Sequence, residues 1–177
     1  MNMVVYYRVA HWLHQHHVPL LPRIIRRLVF FLYNSDIPPS CEIGPGSYFA
    51  HGGIGVVINR NCHIGLRVLI GQDVTIGGSF GSGVPIIGDD VWIGPGVRIL
   101  GSIRVGNNVI LGANAVVVKD IPDNCIAMGV PARVSADIPP GSLDTLHGVL
   151  REGHESGSCG NAWPSTSNEI VDTIGLG

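Results

Sequence analysis

The sequence predicts an all-β solenoid preceded by a short N-terminal α-helical segment, on three observations. Ten positions six residues apart are aliphatic: Ile58, Ile64, Ile70 and Ile76, then, after one offset, Ile87, Ile93, Ile99, Val105, Leu111 and Val117. If about a third of positions were Ile, Leu or Val, ten hits in ten would arise on the order of once in 10⁴ to 10⁵ frames. The following residue is Gly at Gly65, Gly71, Gly77, Gly88, Gly94, Gly106 and Gly112. Three positions further on, a second and generally small apolar residue recurs, at Cys62, Val68, Val74, Val91, Val97, Ile103, Val109 and Ala115. A period of six is neither the helical 3.6 nor the bare strand period of 2. A three-sided coil of about 18 residues per turn returns each sixth side chain to one interior. The glycines are read as corners, where a residue without Cβ bends freely.

Residues 1–35 lie off this period. Tyr6, Val9, Trp12 and Leu13 fall at helical spacing, and a second apolar run extends from Ile24 to Tyr33, interrupted by Arg26 and Arg27. Two short helices are expected, separated by Pro19 and Pro22, because proline breaks a helix interior. The run LVFFLY is far shorter than the roughly 20 apolar residues that span a bilayer, and no export signal is read. The segment fits an N-terminal helical cap over the open end of a solenoid. Its mixture of aromatic and basic residues also fits peripheral membrane contact. The catalytic body is expected over residues 36–134, where the periodicity runs. A flexible C-terminal tail is expected over 135–177.

Composition agrees with one body. Charged residues make up 14% of the chain, Gly numbers 25 and the net charge is −2. No basic stripe interleaved with aromatics is present, so no nucleic-acid partner is expected. Cys41, Cys62, Cys125 and Cys159 form no CxxC pair. A disulfide framework or zinc site is not expected, and the setting is read as reduced and cytoplasmic. His11, His14, His16 and His17 are read as a solvated helix end rather than a metal site, since no carboxylate or cysteine completes a ligand set. His63, His147 and His154 are read as surface histidines.

Two interruptions break the hexads. From Phe49 to Ile58 the step is nine residues, with three extra around His51, Gly52 and Gly53. From Ile76 to Ile87 it is eleven, across the glycine-rich segment GGSFGSGVP. Compact corners are all a coil requires, so both insertions point to a binding cleft. His51 is the histidine placed for chemistry, because imidazole is the side chain suited to proton transfer near neutrality. Asp36 stands fifteen residues upstream, nearly one coil. It is either a carboxylate that orients the imidazole across one turn or a turn residue in SDIPP.

Residues 36–134 resemble the left-handed parallel β-helix acyltransferases of the hexapeptide-repeat class, specifically their serine acetyltransferase branch. The resemblance is carried by DIPPSCEIGPGSYFAHGGIGVVI, VTIGGSFGSG, ILGSIRVG and GVPARV. It implies a left-handed coil, an exception to the usual right-handed crossover. It also implies acetyl-CoA as acyl donor, a hydroxyl acceptor and a homotrimer with sites between neighbouring subunits; the residues themselves point to no metal. Mapped onto the motifs, His51 is the catalytic base and Asp36 its acidic partner. Backbone N–H groups near Gly77 and Gly78 are candidates for the thioester region or its oxyanion, Ala113 for the pantetheine channel, and Lys119 and Arg133 for coenzyme A phosphates.

The chain departs from that branch where the amino acid would bind. Its members usually carry Asp immediately before the base and Arg-His-Pro after the glycine loop, whereas this chain has Ala50 and Gly83-Val84-Pro85. A zwitterion leaving water needs both charges paired. The leading expectation is therefore O-acetylation of a saccharide or related small alcohol, as in polysaccharide biosynthesis. The alternatives are genuine serine O-acetyltransferase and a non-catalytic assembly coil.

Overall fold

In the computed structural model, the chain divides into two units, Met1–Ser142 and Leu143–Gly177. The structure describes residues 2–78, 83–140 and 143. The centre of the glycine loop, His147, His154, Cys159 and, of the expected tail, all but residues 135–140 and 143 lie outside the described residues.

The first unit opens with two helices, α1 (Met3–Gln15) and α2 (Leu21–Tyr33). Asn2 caps α1, its side-chain oxygen accepting from the Val4 N–H at 3.0 Å, which satisfies one of the amides left free at a helix start. One correction applies here. Pro19 lies between the helices, but Pro22 is inside the first turn of α2, where a residue without an N–H costs no helical hydrogen bond.

Among the described residues fourteen strands follow, and all but the last pair in parallel on three sides of a coil. One side holds β1 (Glu42–Ile43), β4 (His63–Ile64), β7 (Ile86–Ile87) and β10 (Arg104–Val105). The second holds β2 (Tyr48–Phe49), β5 (Leu69–Ile70), β8 (Val91–Ile93), β11 (Val109–Leu111), β13 (Cys125–Gly129) and β14 (Ala132–Asp137). The third holds β3 (Val57–Ile58), β6 (Thr75–Gly77), β9 (Arg98–Leu100) and β12 (Val116–Val117). This is the three-sided parallel coil expected from the hexads, a β-helix of the left-handed class that the resemblance implies. The registers carry the same period: Ile58 pairs with Ile76, Ile87 with Val105 and Ile99 with Val117, each one 18-residue coil apart. The two insertions lengthen their own coils. Phe49 pairs with Ile70, 21 residues on, and Ile76 with Ile99, 23 residues on.

All ten aliphatic hexad positions are buried, and Val68, Val74, Val91, Val97, Val109 and Ala115 are fully so. The glycines that follow them have a different cause from the one the sequence suggested. The left-handed backbone at the corners falls two residues later, on Arg67, Asp73, Asp90, Asn108 and Asn114 among others. Asp and Asn tolerate that conformation better than most side chains. The glycines are needed for stacking instead. A Cβ on Gly71 would lie 2.7 Å from the Pro95 nitrogen and 2.9 Å from the Gly94 carbonyl carbon, and one on Gly94 would lie 2.7 Å from the Leu111 oxygen.

Candidate active site

His51 sits where the chain leaves the second side and turns toward the third. Ala50–Gly53 form a 3₁₀ turn in which His51 itself is left-handed, at φ 50° and ψ 35°, followed by Gly52 at φ 73° and Gly53 at φ 89°. The two glycines accept that conformation freely; His51 does not, and its imidazole is exposed. Holding a side chain there requires support from below. Ser35, fully buried, supplies part of it: its hydroxyl reaches the Gly53 carbonyl at 2.6 Å and accepts from the Val56 N–H at 3.2 Å. The Gly55 N–H donates to the Tyr33 carbonyl at 3.1 Å. Helix α1 supplies the rest, with Asn2 Nδ2 donating to the Phe49 carbonyl at 2.7 Å and the Met3 side chain filling the space that a Cβ on Gly53 would take.

Asp36 forms a parallel bridge with Val57 at the start of the third side. Both of its carboxylate oxygens accept from Arg26 on α2, Oδ1 from Nε at 2.6 Å and Oδ2 from Nη2 at 2.8 Å. Within one chain no hydrogen bond links this carboxylate to His51. The paired carboxylate raises the Arg26 pKa above its ordinary value. Arg26, Ser35 and Asn2 are site-supporting residues that the hexads do not mark, because all three lie before the periodic region. The all-basic first 35 residues, with Asp36 as the first acid in the chain, are the one signal that could have drawn attention to Arg26.

Of the five residues expected on the donor side, four fall at two corners of the coil and the fifth lies beyond them. Gly77 ends β6 and pairs with Leu100, and its carbonyl accepts from the Gly101 N–H at 3.0 Å. Gly78 follows it at the opening of the inserted loop. Lys119 is exposed two residues after β12, on the same edge of the third side. Ala113 is exposed in the turn after β11, so it occupies the same corner of the coil as His51, three strands away along the second side. Arg133 is exposed on β14 opposite Met128, beyond that run of coils. One chain therefore places His51 and the glycine loop at opposite ends of the third side.

Gly77 differs from the stacked glycines. Among the described residues, a Cβ there would meet only Leu100 Cδ2, at 3.8 Å, an ordinary van der Waals distance. The coil leaves room for a side chain at this position.

A hexad coil interrupted by a histidine turn and a glycine loop defines the class of a left-handed β-helix transferase. Residues 85–119 match the family model described as bacterial transferase hexapeptide (six repeats). The chain is 40% identical over 134 residues to a serine acetyltransferase of Synechococcus elongatus, covering 74% of this chain and 54% of that protein. It is 39% identical over 130 residues to a serine acetyltransferase of Helicobacter pylori, covering 72% of this chain and 75% of the relative. Among solved structures, a serine acetyltransferase in complex with CoA superposes with a TM-score of 0.69 at 34% identity, over 75% of this chain and 55% of that one. The Vibrio cholerae enzyme gives 0.74 at 34%, over 81% and 57%. The chain belongs to the hexapeptide-repeat acyltransferase family, and these relatives are its serine acetyltransferases. It spans little more than half the length of several of them.

Proposed function

We infer that this chain is an acetyl-CoA-dependent O-acetyltransferase whose acceptor is the hydroxyl of L-serine. The observation that carries the reading is His51, exposed on an inserted and strained turn, in a chain whose relatives are named for acetyl transfer to serine. In this reaction the His51 imidazole takes the proton of the acceptor hydroxyl. The oxygen attacks the thioester carbonyl carbon, the C–S bond of the tetrahedral intermediate breaks, and the imidazolium returns its proton to the departing thiolate. No acyl-enzyme forms. Asp36, held by Arg26, is the carboxylate assigned to the imidazole, and the Gly77–Gly78 backbone is assigned to the donor carbonyl. Because His51 and the glycine loop occupy opposite corners of one chain, the cleft is assigned to neighbouring copies in a homotrimer, with Ala113, Lys119 and Arg133 along the coenzyme A path.

The names of the relatives favour serine over the saccharide acceptor expected from sequence, and none of those described above is a polysaccharide-modifying enzyme by name. One observation keeps the saccharide as a second reading: Ala50 and Gly83-Val84-Pro85 offer no charged side chain to a zwitterion. Thiol release from acetyl-CoA, measured with L-serine and with a panel of neutral sugars, decides between them. Serine-dependent release is the expected result, release with a sugar alone moves the assignment to the second reading, and silence with all acceptors overturns both. In the active case His51→Ala should lower kcat by about 10² to 10⁴.

A further inference from the structure

We propose that helix α2 is a docking face for an anionic phospholipid surface. The helix has two unlike sides. Pro22 and Val29 are buried against the rest of the unit, while Leu21, Ile24, Leu28 and Phe31 follow one another at spacings of three, four and three and so lie on one stripe. That stripe faces outward: Phe31 is 80% exposed, Ile24 59% and the adjoining Leu32 61%. A helix of a self-contained unit ordinarily turns such a stripe inward.

Charge selects the occupant. The first 35 residues contain four arginines and no Asp or Glu, whereas the whole chain carries −2, so the remainder has six more acidic than basic side chains. Arg23 and Arg27 are exposed on α2, and with Arg26, Phe30, Phe31 and Asp36 they line an open cavity of about 440 Å³. Arg26 is already paired with Asp36; Arg23 and Arg27 border the apolar stripe without a carboxylate in their own segment. A second copy of α2 packed on this face would bring four guanidinium groups together with no acid among the helices to pair them. A bilayer bearing phosphate headgroups supplies negative charge to the arginines and acyl chains to Ile24, Leu28 and Phe31 at once. No described helix is long and apolar enough to cross a membrane, so the contact is a peripheral one.

Flotation of the full chain with vesicles tests this without any measurement of turnover, and so stands apart from the choice of acceptor. The chain should float with vesicles of phosphatidylcholine mixed with phosphatidylglycerol, remain unbound with phosphatidylcholine alone, and be released as salt is raised. The double variant Arg23→Glu, Arg27→Glu should weaken binding by at least about tenfold, and Leu28→Ser with Phe31→Ser should weaken it comparably, with helix content by circular dichroism unchanged. Absence of flotation, or equal flotation with neutral vesicles, would overturn the proposal. So would a fall in oligomeric mass of the Leu28→Ser, Phe31→Ser variant with vesicle binding intact, which would give the face to a second copy of the chain.

Discussion

Cys62 is 1% exposed inside the coil, and its Sγ lies 3.8 Å from the Ile76 carbonyl. Burial pushes its thiol from the ordinary 9.0 up to about 11, and pushes Cys41 further in the same direction. An unfolded chain begins to ionise these thiols near pH 9 while the fold keeps them protonated, so stability that is fully present below that pH is lost as pH rises through 11. The denaturant midpoint should fall across this window, and Cys62→Ala should flatten the fall. Single residues also show how unevenly the site could be read in advance. His51 announced itself because an insertion in a strict register leaves a conspicuous remainder. Arg26 did not: it lies ten residues before Asp36 on a helix, and a helical position has no fixed relation to a period of six.

Glycine in the hexads illustrates what a strand sequence says and what it conceals. The period and the buried positions were plain, since Ile, Val and Leu recur wherever a side chain must enter the interior. The reason for the glycines was not, because close approach between coils and freedom at a bend leave the same letter in the sequence. The two causes predict different mutants. Gly71→Ala places a methyl against the Pro95 backbone and should cost about 1–3 kcal/mol in chemical denaturation, with Gly94→Ala behaving alike. Among the described residues Gly77→Ala meets only Leu100 Cδ2 at 3.8 Å, and it should leave the denaturation curve nearly unmoved. If the Gly77 backbone receives the donor, the same substitution should lower kcat/KM for acetyl-CoA, a separation between stability and activity that a purely structural glycine would not produce. The helices were legible as elements through their spacing, whereas the place of Pro22 was not, because proline ends one helix and begins another equally well.

For the assembled protein, the separation of His51 from the glycine loop carries the strongest expectation. Strand pairing puts them at opposite ends of one side of the coil, and no rotamer change brings them together. If the cleft is shared in the proposed homotrimer, light scattering should give three times the 18.8 kDa chain mass under conditions where thiol release is observed, and dilution to monomer should abolish turnover. A monomeric active species would overturn the shared cleft. Sequence alone could place these residues along the coil, but not on which side of it they meet a neighbour, since contacts between copies leave no periodic trace.

The coil also has two ends. Helix α1 covers the first: Tyr7 Oη donates to the Cys41 carbonyl at 2.6 Å, Arg8 to those of Ile43 and Gly44 at 2.5 and 2.7 Å, and Asn2 to that of Phe49. At the other end the last described strand, β14, returns antiparallel to β13 and breaks the parallel stacking. A ladder of parallel strands is otherwise an addition polymer, able to recruit further strands at each exposed edge as amyloid does. Read in that light, the side chains of α1 are chain terminators. They occupy the edge carbonyls to which another molecule would add, and they hold growth of the ladder at a fixed count of rungs.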